Sequence, residues 1–389
     1  MSRLARLAIL GTVALLGAAT IAASTLLRDR PRVQPGAETS KTQPGSSNAA
    51  PRPQVVLVRR RGGGVPASWA RHLRRVRGVT AVARTGRTQS LLRRSARRRG
   101  RPVDVAPTGY AFPLDVLVVR PRAYAEVLPR AAPALRSLRP GTALLSHTSA
   151  RLRGLGSGDR LTLVGGRTLR VAGVLDDELV RAAELVVRPS DAGPARVNQL
   201  LVATTAPERI ARRLPTDEGT RVRSLRSTAG DSRASIARPA EIKARFGEFA
   251  IRLPYGDDWI GIEPRWLRRN VVTRSVPILG PVSCHRRFIP PLSRALGQLE
   301  RRGLSRLVDP GDYAGCYAPR RIPSSGSLSL HAWGLAIDLN ASANPPLEAS
   351  RQDPRLVRAM ERAGFTWGGR WPTAPDPMHF ELHAVPSAP

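Results

Sequence analysis

The chain has 389 residues, a hydrophobic fraction of 41% and a formal net charge of +34. The length allows two domains of ordinary size, and the apolar content excludes a wholly disordered chain. From residue 240 onward, 20 basic and 14 acidic residues leave a net charge of +6, so the preceding residues carry +28. An excess of this size favours polyanionic partners, namely nucleic acid, anionic lipid headgroups or anionic wall polymers.

The first segment, residues 1–29, is predicted to be a signal anchor or a cleaved signal peptide. Residues 7–27 carry no charge, and arginines flank them on both sides. Such a run is long enough to cross the ~30 Å hydrocarbon core as a hydrophobic helix. Ala22, Ala23 and Ser24 offer the small residues that a cleavage site requires, so anchoring and cleavage both stay open. We therefore expect an extracytoplasmic protein, anchored by residues 7–27 or secreted to the cell wall.

A linker is predicted at residues 30–53, which are rich in Pro, Ser, Gln and Thr. This composition cannot bury enough apolar surface to fold, so we expect a disordered spacer. Export also removes nucleic acid from the expected partners. Anionic wall polymer or phospholipid is therefore the predicted partner of the basic N-terminal half.

Residues 54–235 are predicted to form a basic α+β extracytoplasmic domain. Residues 161–164 and 169–174 alternate like the arms of a hairpin around Gly165 and Gly166. A short helix is predicted at residues 69–76. Further strands are predicted at residues 54–58, 79–83, 185–187 and 201–204.

Residues 146–164, followed by Val171-Ala-Gly-Val174, resemble the extracytoplasmic domain of FtsX/MacB-type permeases. The resemblance implies a domain that binds partners or transmits force rather than one that catalyses a reaction. Two arginine-rich patches, residues 59–61 and 93–99, either form a solvated face or adhere to an anionic polymer.

The two cysteines, Cys284 and Cys316, both lie in the C-terminal part. An even number of cysteines in an exported chain favours one disulfide, and two buried free thiols are the alternative.

A run of chemically informative residues begins at Ser329 and ends at Asn340. Residues 335–339 are predicted to form a buried strand, with His331 at its mouth and Asp338 within it. A carboxylate inside an apolar strand requires a partner, and a metal ion is a suitable one.

A second run extends from Asp376 to His383. Polar and apolar residues alternate from His379, so His379, Glu381 and His383 share one face of a strand. Two histidines and one aspartate would leave the fourth position of a tetrahedral zinc open, as catalysis requires. Asp376 is the candidate general base for the metal-activated water. Glu381 and His383 either support a ligand or lie on the surface.

These two motifs, with flanking segments from about Phe246 to His383, resemble the D-alanyl-D-alanine carboxypeptidase and L-alanyl-D-glutamate endopeptidase family of zinc peptidases. The resemblance implies that residues 240–389 form a small α+β zinc metallopeptidase domain with a central antiparallel sheet.

The resemblance also implies roles for individual residues. The metal ligands would be His331, Asp338 and His379, holding Zn²⁺. Asp376 would be catalytic, together with Arg320, for which Arg321 is the alternative. The implied substrates are peptidoglycan stem peptides, cut as a D-Ala-D-Ala carboxypeptidase or an L-Ala-D-Glu endopeptidase would cut them. The competing hypothesis is a wall-binding or regulatory module in which the permease-like domain is the working part.

Overall fold

A large mixed sheet organises the first part of the chain. The computed structural model describes residues 53–60, 63–193, 197–214, 220–225, 239–254, 259–322, 326–371 and 374–383. Within these ranges no helix is long and apolar enough to cross a membrane. The hydrophobic segment predicted at residues 7–27 and nearly all of the predicted linker lie outside the described residues.

Among the described residues, eleven strands belong to the large sheet. They are β1 (Gln54–Arg60), β2 (Val79–Ala96), β3 (Pro102–Val105), β4 (Tyr110–Val119), β5 (Thr142–Ser146), β6 (Arg160–Leu163), β7 (Thr168–Leu175), β8 (Leu185–Val187), β9 (Val197–Thr204), β10 (Thr220–Leu225) and β11 (Ile251–Arg252). The predicted hairpin is confirmed, because β6 and β7 pair antiparallel and Gly165 and Gly166 have φ of 87° and 82°. Positive φ at both turn residues is the geometry that such two-residue hairpins need.

Six of these strands close into a ring, because β4 pairs with β8 on one side and with β2 on the other. One apolar cluster draws buried side chains from all six, including Leu92, Val116, Leu145, Leu161 and Leu185. Strand β4 is buried along almost its whole length, since a second cluster covers its other side. A strand covered on both faces requires the near-continuous apolar run that β4 shows.

Ten helices accompany the strands in the described residues. They are α1 (Ala67–Arg74), α2 (Pro121–Val127), α3 (Ala132–Leu135), α4 (His147–Arg153), α5 (Asp177–Val180), α6 (Pro207–Arg212), α7 (Pro239–Phe246), α8 (Pro264–Asn270), α9 (Ile289–Arg301) and α10 (Pro354–Arg362). Helices α2 and α3 pack on one face of the sheet around Leu57 and Leu201. Helices α1 and α6 pack on the opposite face around Val56 and Leu200. The alternation of side chains along β1 and β9 accounts for these two separate clusters.

The C-terminal part is built on two small antiparallel sheets. Their strands are β12 (Val271–Val276), β13 (Gly280–His285), β14 (Ala336–Asp338), β15 (Thr366–Trp367) and β16 (His379–Glu381). Strand β16 lies between β14 and β15. Helices α9 and α10 cover these strands with buried residues such as Leu296 and Met360, which pack with Ile337 and Phe380. The architecture is therefore mixed α/β, with an antiparallel sheet in the C-terminal part.

The two predicted domains contact each other directly. Strand β11 pairs with β4, and Lys243 of α7 donates to the Glu184 carboxylate at 2.8 Å. Arg153 of α4 reaches the same cluster and forms a salt bridge with Glu248. Buried charges of this kind require partners, and here each cation meets a carboxylate. The boundary near residue 240 stays a prediction.

Candidate active site

A short turn presents His331 at the entrance to strand β14. The 3₁₀ turn Leu330–Trp333 begins at Ser329, whose hydroxyl accepts a hydrogen bond from the His331 backbone N–H at 3.3 Å. Gly334 ends the turn with a φ of 67°. A Cβ at Gly334 would lie 2.6 Å from the backbone nitrogen of His285, so the close approach of two chain segments requires glycine there.

The pairing of β14 with β16 brings Asp338 and His379 together, since the two residues are directly opposite in the register. Both side chains are buried, and His331 is buried beside them. Strand β14 therefore carries a carboxylate into the apolar interior, where a histidine from the neighbouring strand meets it. The strand was predicted from the sequence with His331 at its mouth, and the structure brings His331, Asp338 and His379 to one point.

The three side chains converge closely enough to hold one metal ion. The Nε2 of His331 lies 3.2 Å from Nδ1 of His379 and 3.2 Å from Oδ2 of Asp338. The Nδ1 of His379 lies 2.9 Å from Oδ1 of Asp338. Tetrahedral zinc with donors at 2.0–2.1 Å holds neighbouring donor atoms about 3.3 Å apart. Two imidazoles and a carboxylate at these separations therefore fit zinc, with a fourth position left for water or substrate.

Each histidine is oriented by a hydrogen bond from its other ring nitrogen. His331 donates through Nδ1 to the Cys316 carbonyl at 2.9 Å, which leaves Nε2 free for a metal. His379 donates through Nε2 to the Glu381 carboxylate at 3.1 Å, so Nδ1, which faces Asp338, is the nitrogen that a metal would take. Hydrogen bonds of this type fix the tautomer and raise the basicity of a ligand. Glu381 is thus a support of His379 and not a surface residue, and His383 in turn contacts Glu381.

The pKa values of the cluster reflect these contacts. Burial raises the pKa of Asp338, but hydrogen bonds from His331 and His379 outweigh it and hold the pKa well below its usual range. Burial lowers the pKa of His379, yet hydrogen bonds to Asp338 and Glu381 outweigh this and raise it to about 10. Metal and protons compete for such ligands, so a bound cation would take the place of the His379 proton.

Asp376 lies beside the cluster, in the loop that leads into β16. Its backbone N–H donates to the Gly368 carbonyl at 3.0 Å, and its own carbonyl accepts from the His379 N–H at 3.1 Å. The Oδ1 atom is buried and has no hydrogen-bond partner. Burial raises the pKa of Asp376; the neighbouring His379 opposes this and the Asp338 charge adds to it. A carboxylate with a raised pKa and an unused oxygen is suited to moving a proton.

Gly368 was not singled out in the sequence, although it positions Asp376. A Cβ at Gly368 would lie 2.6 Å from the Asp376 carbonyl oxygen and 3.2 Å from the Cβ of His379. The backbone conformation of Gly368 does not require glycine. Glycine is necessary there only because the Asp376 loop approaches it closely. Gly368 lies within the flanking segments that resemble the peptidase family, but its role depends on contacts that the sequence does not reveal.

Of the two candidate arginines, Arg320 is the one that points toward the cluster. Its Nη2 lies 3.8 Å from Oδ2 of Asp338, and 38% of its side chain is exposed. Arg321 instead donates through Nη1 to the Gly326 carbonyl at 3.1 Å. A half-exposed guanidinium beside the cluster can meet an anionic substrate group without leaving its place.

A disulfide joins Cys284 and Cys316, as the sequence predicted, with a Cα–Cα distance of 5.4 Å. It holds the segment whose Cys316 carbonyl orients His331. The adjacent His285 is buried, contacts the Phe246 carbonyl through Nε2 and accepts from the Arg287 N–H through Nδ1. Burial lowers the pKa of His285 to about 4, in agreement with a structural role.

Comparison with known proteins gives one family match. Residues 323–382 match the family described as D-alanyl-D-alanine carboxypeptidase. The matched segment contains His331, Asp338, Asp376 and His379, and Arg320 lies just before it. The resemblance drawn from the sequence is thereby confirmed for this part of the chain. No curated protein matches the chain.

Two solved structures are similar to part of the chain. The first is the periplasmic region of MacB from Actinobacillus actinomycetemcomitans, with 11% identity, a TM-score of 0.31, and coverage of 44% of this chain and 88% of that one. The second is the extracellular domain of the noncanonic ABC-type transporter YknZ from Gram-positive bacteria. It has 13% identity, a TM-score of 0.28, and coverage of 41% of this chain and 88% of that one.

Proposed function

Since the C-terminal segment matches the carboxypeptidase family, we propose that this protein is a zinc-dependent peptidase that hydrolyses peptidoglycan stem peptides. The observation that carries the proposal is the convergence of His331, Asp338 and His379 within 4.8 Å of one another, with all three side chains buried. Three protein ligands of this type are a catalytic zinc set, whereas structural zinc takes four. The proposed cleavage is that of a D-Ala-D-Ala carboxypeptidase or of an L-Ala-D-Glu endopeptidase.

Each residue near the cluster has a distinct part in the proposed reaction. A divalent metal held by the three ligands would polarise the scissile carbonyl and lower the pKa of water. Asp376, with its unpartnered Oδ1, takes the proton of the attacking water and returns it to the leaving amine. Its raised pKa supports both directions of transfer, because a carboxyl group nearer to neutral pH is more readily reprotonated.

Arg320 is the proposed contact for the anionic part of the substrate. Its guanidinium is half-exposed and lies 3.8 Å from Oδ2 of Asp338, so a substrate that reaches the cluster from solvent can contact it. A peptide that ends in D-Ala carries a terminal carboxylate, which a planar guanidinium binds through two parallel hydrogen bonds. In an L-Ala-D-Glu cleavage, Arg320 would meet the free carboxylate of the D-Glu residue or stabilise the developing oxyanion.

The proposed place of action is outside the cytoplasmic membrane. The Cys284–Cys316 disulfide supports this, because disulfides persist in oxidising compartments. The basic half, with its net charge of +28, is the part proposed to bind anionic wall polymer or phospholipid. Nucleic acid is not among the proposed partners.

Digestion of defined stem peptides tests the proposal directly. The full-length chain, purified in non-ionic detergent and supplied with zinc, is incubated with a pentapeptide stem that ends in D-Ala-D-Ala, and the products are identified by mass spectrometry. We expect loss of the terminal D-Ala or a cut between L-Ala and D-Glu. The His331→Ala variant is the matched control, because it retains the basic half and lacks a ligand. An intact stem peptide with zinc-loaded protein would contradict the proposal.

A further inference from the structure

Four arginines from separate segments meet on one face of the large sheet. Arg59 belongs to β1, Arg87 to β2 and Arg223 to β10, and Arg181 follows α5. Partial burial and the charges of Arg87 and Arg223 lower the pKa of Arg59. Burial and the charges of Arg87, Arg59 and Arg223 likewise lower the pKa of Arg181. The four side chains therefore lie within electrostatic reach of one another.

The strand register independently places these residues on the same face. Arg223 is opposite Leu57, and Arg59 follows Leu57 by two positions. Arg87 is opposite Leu117 of β4. Leu57 and Leu117 belong to the same apolar cluster, and side chains at alternate positions of a strand share a face.

Two buried polar side chains next to the arginines each have one atom without a hydrogen-bond partner. Gln199 is opposite both Arg59 and Thr85, so the two polar side chains are neighbours on this face. Thr85 is 0% exposed and its Oγ1 has no hydrogen-bond partner; Gln199 is 1% exposed and its Nε2 has none. The Oε1 of Gln199 accepts from Arg181 at 3.0 Å, which leaves its amide donors without an acceptor. Buried donors without acceptors are costly, and a ligand would satisfy them.

Within the part of the chain that the structure describes, no carboxylate forms an ion pair with these four guanidiniums. The Asp115 carboxylate acts on Arg87 but accepts hydrogen bonds from Gln89 and Ser327, and the Tyr124 phenol acts on Arg87 and Arg181. Burial and neighbouring positive charge, Arg87 first, lower the pKa of Arg181 to about 9. Like charges are thus held together at a cost that an anion would remove.

We propose that Arg59, Arg87, Arg181 and Arg223, with Thr85 and Gln199 beneath them, form a binding site for a phosphate group. The four guanidiniums and the Gln199 amide nitrogen can only donate, and the Thr85 hydroxyl can donate as well as accept, so a ligand rich in acceptors suits the cluster. A carboxylate has two oxygens and serves at most two guanidinium forks, whereas a phosphate presents more oxygens in a tetrahedral arrangement. The site therefore fits a phosphate better than a carboxylate.

The cluster is open to solvent on one side. Arg59 is exposed, Arg87, Arg181 and Arg223 are half-buried, and the two polar groups beneath are buried. The guanidinium groups are therefore accessible to a phosphate from solvent, and the two buried polar side chains lie next to them in the strand register. This site is separate from the metal cluster and does not depend on the proposed peptidase activity. It also gives the basic half a specific binding site in place of the general attraction that its net charge provides.

Thermal unfolding of the full-length chain tests the site. The midpoint is compared in chloride and in each of three phosphate probes at equal ionic strength: inorganic phosphate, glycerol 3-phosphate and a short poly(glycerol phosphate). We expect at least one probe to raise the midpoint. A rise with inorganic phosphate identifies free phosphate as sufficient, and a rise with the polymer alone identifies a phosphodiester chain as the source. No rise with any probe overturns the proposal.

Three variants separate this site from the general basic charge. Calorimetric titration of the Arg59→Gln/Arg223→Gln protein should show phosphate affinity reduced by roughly tenfold or more, since two charge-assisted contacts are lost. The matched control is Arg209→Gln/Arg212→Gln, which removes two exposed arginines of α6 and should retain full affinity. An equal loss in the control, or no loss in the site variant, overturns the proposal.

The third variant is Thr85→Val, which keeps the shape of the side chain and removes its buried hydroxyl. We expect weaker phosphate binding and an unchanged or higher unfolding midpoint in chloride, because an unpartnered hydroxyl does not stabilise the free protein. Undiminished phosphate affinity in Thr85→Val would exclude the hydroxyl from the site and contradict the proposal.

Discussion

The Glu381→Gln substitution should weaken metal binding without removing any ligand. Glu381 is 9% exposed and accepts a hydrogen bond from Nε2 of His379 at 3.1 Å. Burial raises the pKa of Glu381, but hydrogen bonds from His379 and His383 outweigh it and lower the pKa to about 2. The carboxylate is therefore charged at neutral pH, and its charge raises the basicity of the imidazole that faces Asp338.

The size of the effect follows from this one contact. A hydrogen bond to a charged group contributes about 1.5–3 kcal/mol, which corresponds to roughly 10–150-fold in a dissociation constant. Glutamine retains the shape and an acceptor oxygen but loses the charge. Substitution of a group that orients a ligand typically costs 10–100-fold in metal affinity. We therefore expect the zinc dissociation constant of Glu381→Gln to rise by about 10–100-fold.

Competition with a fluorescent zinc chelator measures this constant on the full-length chain. The matched control is Glu300→Gln, an identical chemical change at an exposed position near the end of α9. It should leave zinc affinity unchanged. Circular dichroism melting of both variants separates loss of affinity from loss of folding. If folded Glu381→Gln binds zinc as tightly as the wild-type chain, the assignment of Glu381 as the support of His379 is refuted.

Three further outcomes follow from the same site. Replacing both Cys284 and Cys316 by serine should lower the free energy of unfolding by about 3–4 kcal/mol, since the bridge closes a loop with a sequence separation of 32. Urea unfolding measures this, and an unchanged midpoint would contradict it. Gly368→Ala should reduce kcat/KM by roughly 10–100-fold, because the added Cβ displaces the Asp376 loop; unaltered steady-state kinetics would be inconsistent with that contact. Arg320→Ala should reduce kcat/KM by roughly 10²–10³-fold with zinc content intact, and metal analysis showing lost zinc would instead make it a structural residue.

The residues that carry the chemistry could be predicted because each stands at a fixed place in a local pattern. His331 precedes a predicted strand, Asp338 lies within it, and His379 and Glu381 alternate on another. The register Asp338–His379 needed only the two strands to pair. The Cys316 carbonyl and Gly368 could not be predicted, because a backbone acceptor and a close approach leave no mark in residue type.

The large sheet likewise contains elements that the local sequence predicts and elements that it does not. The strands predicted at residues 54–58 and 185–187 from short apolar runs are observed at Gln54–Arg60 and Leu185–Val187, and the hairpin at Gly165 was predicted from local alternation. Strand β2 extends to Ala96, through part of the arginine-rich patch that begins at Arg93, because long-range pairing with β6 and β3 continues there. The closure of the ring by β4 and the meeting of Arg59 with Arg181 join segments far apart in the chain. Neither feature can be predicted from the local sequence, because both depend on tertiary contacts between distant segments.

The Asp376→Asn variant tests the central claim most directly, because it separates metal binding from catalysis. Asparagine keeps the shape of the side chain and cannot accept the proton of the attacking water. With zinc content measured by mass spectrometry and release of D-Ala or of the cleaved stem measured in parallel, we predict near-stoichiometric zinc and a turnover reduced by about 10²–10⁴-fold. A zinc-loaded Asp376→Asn protein with wild-type turnover would contradict the account.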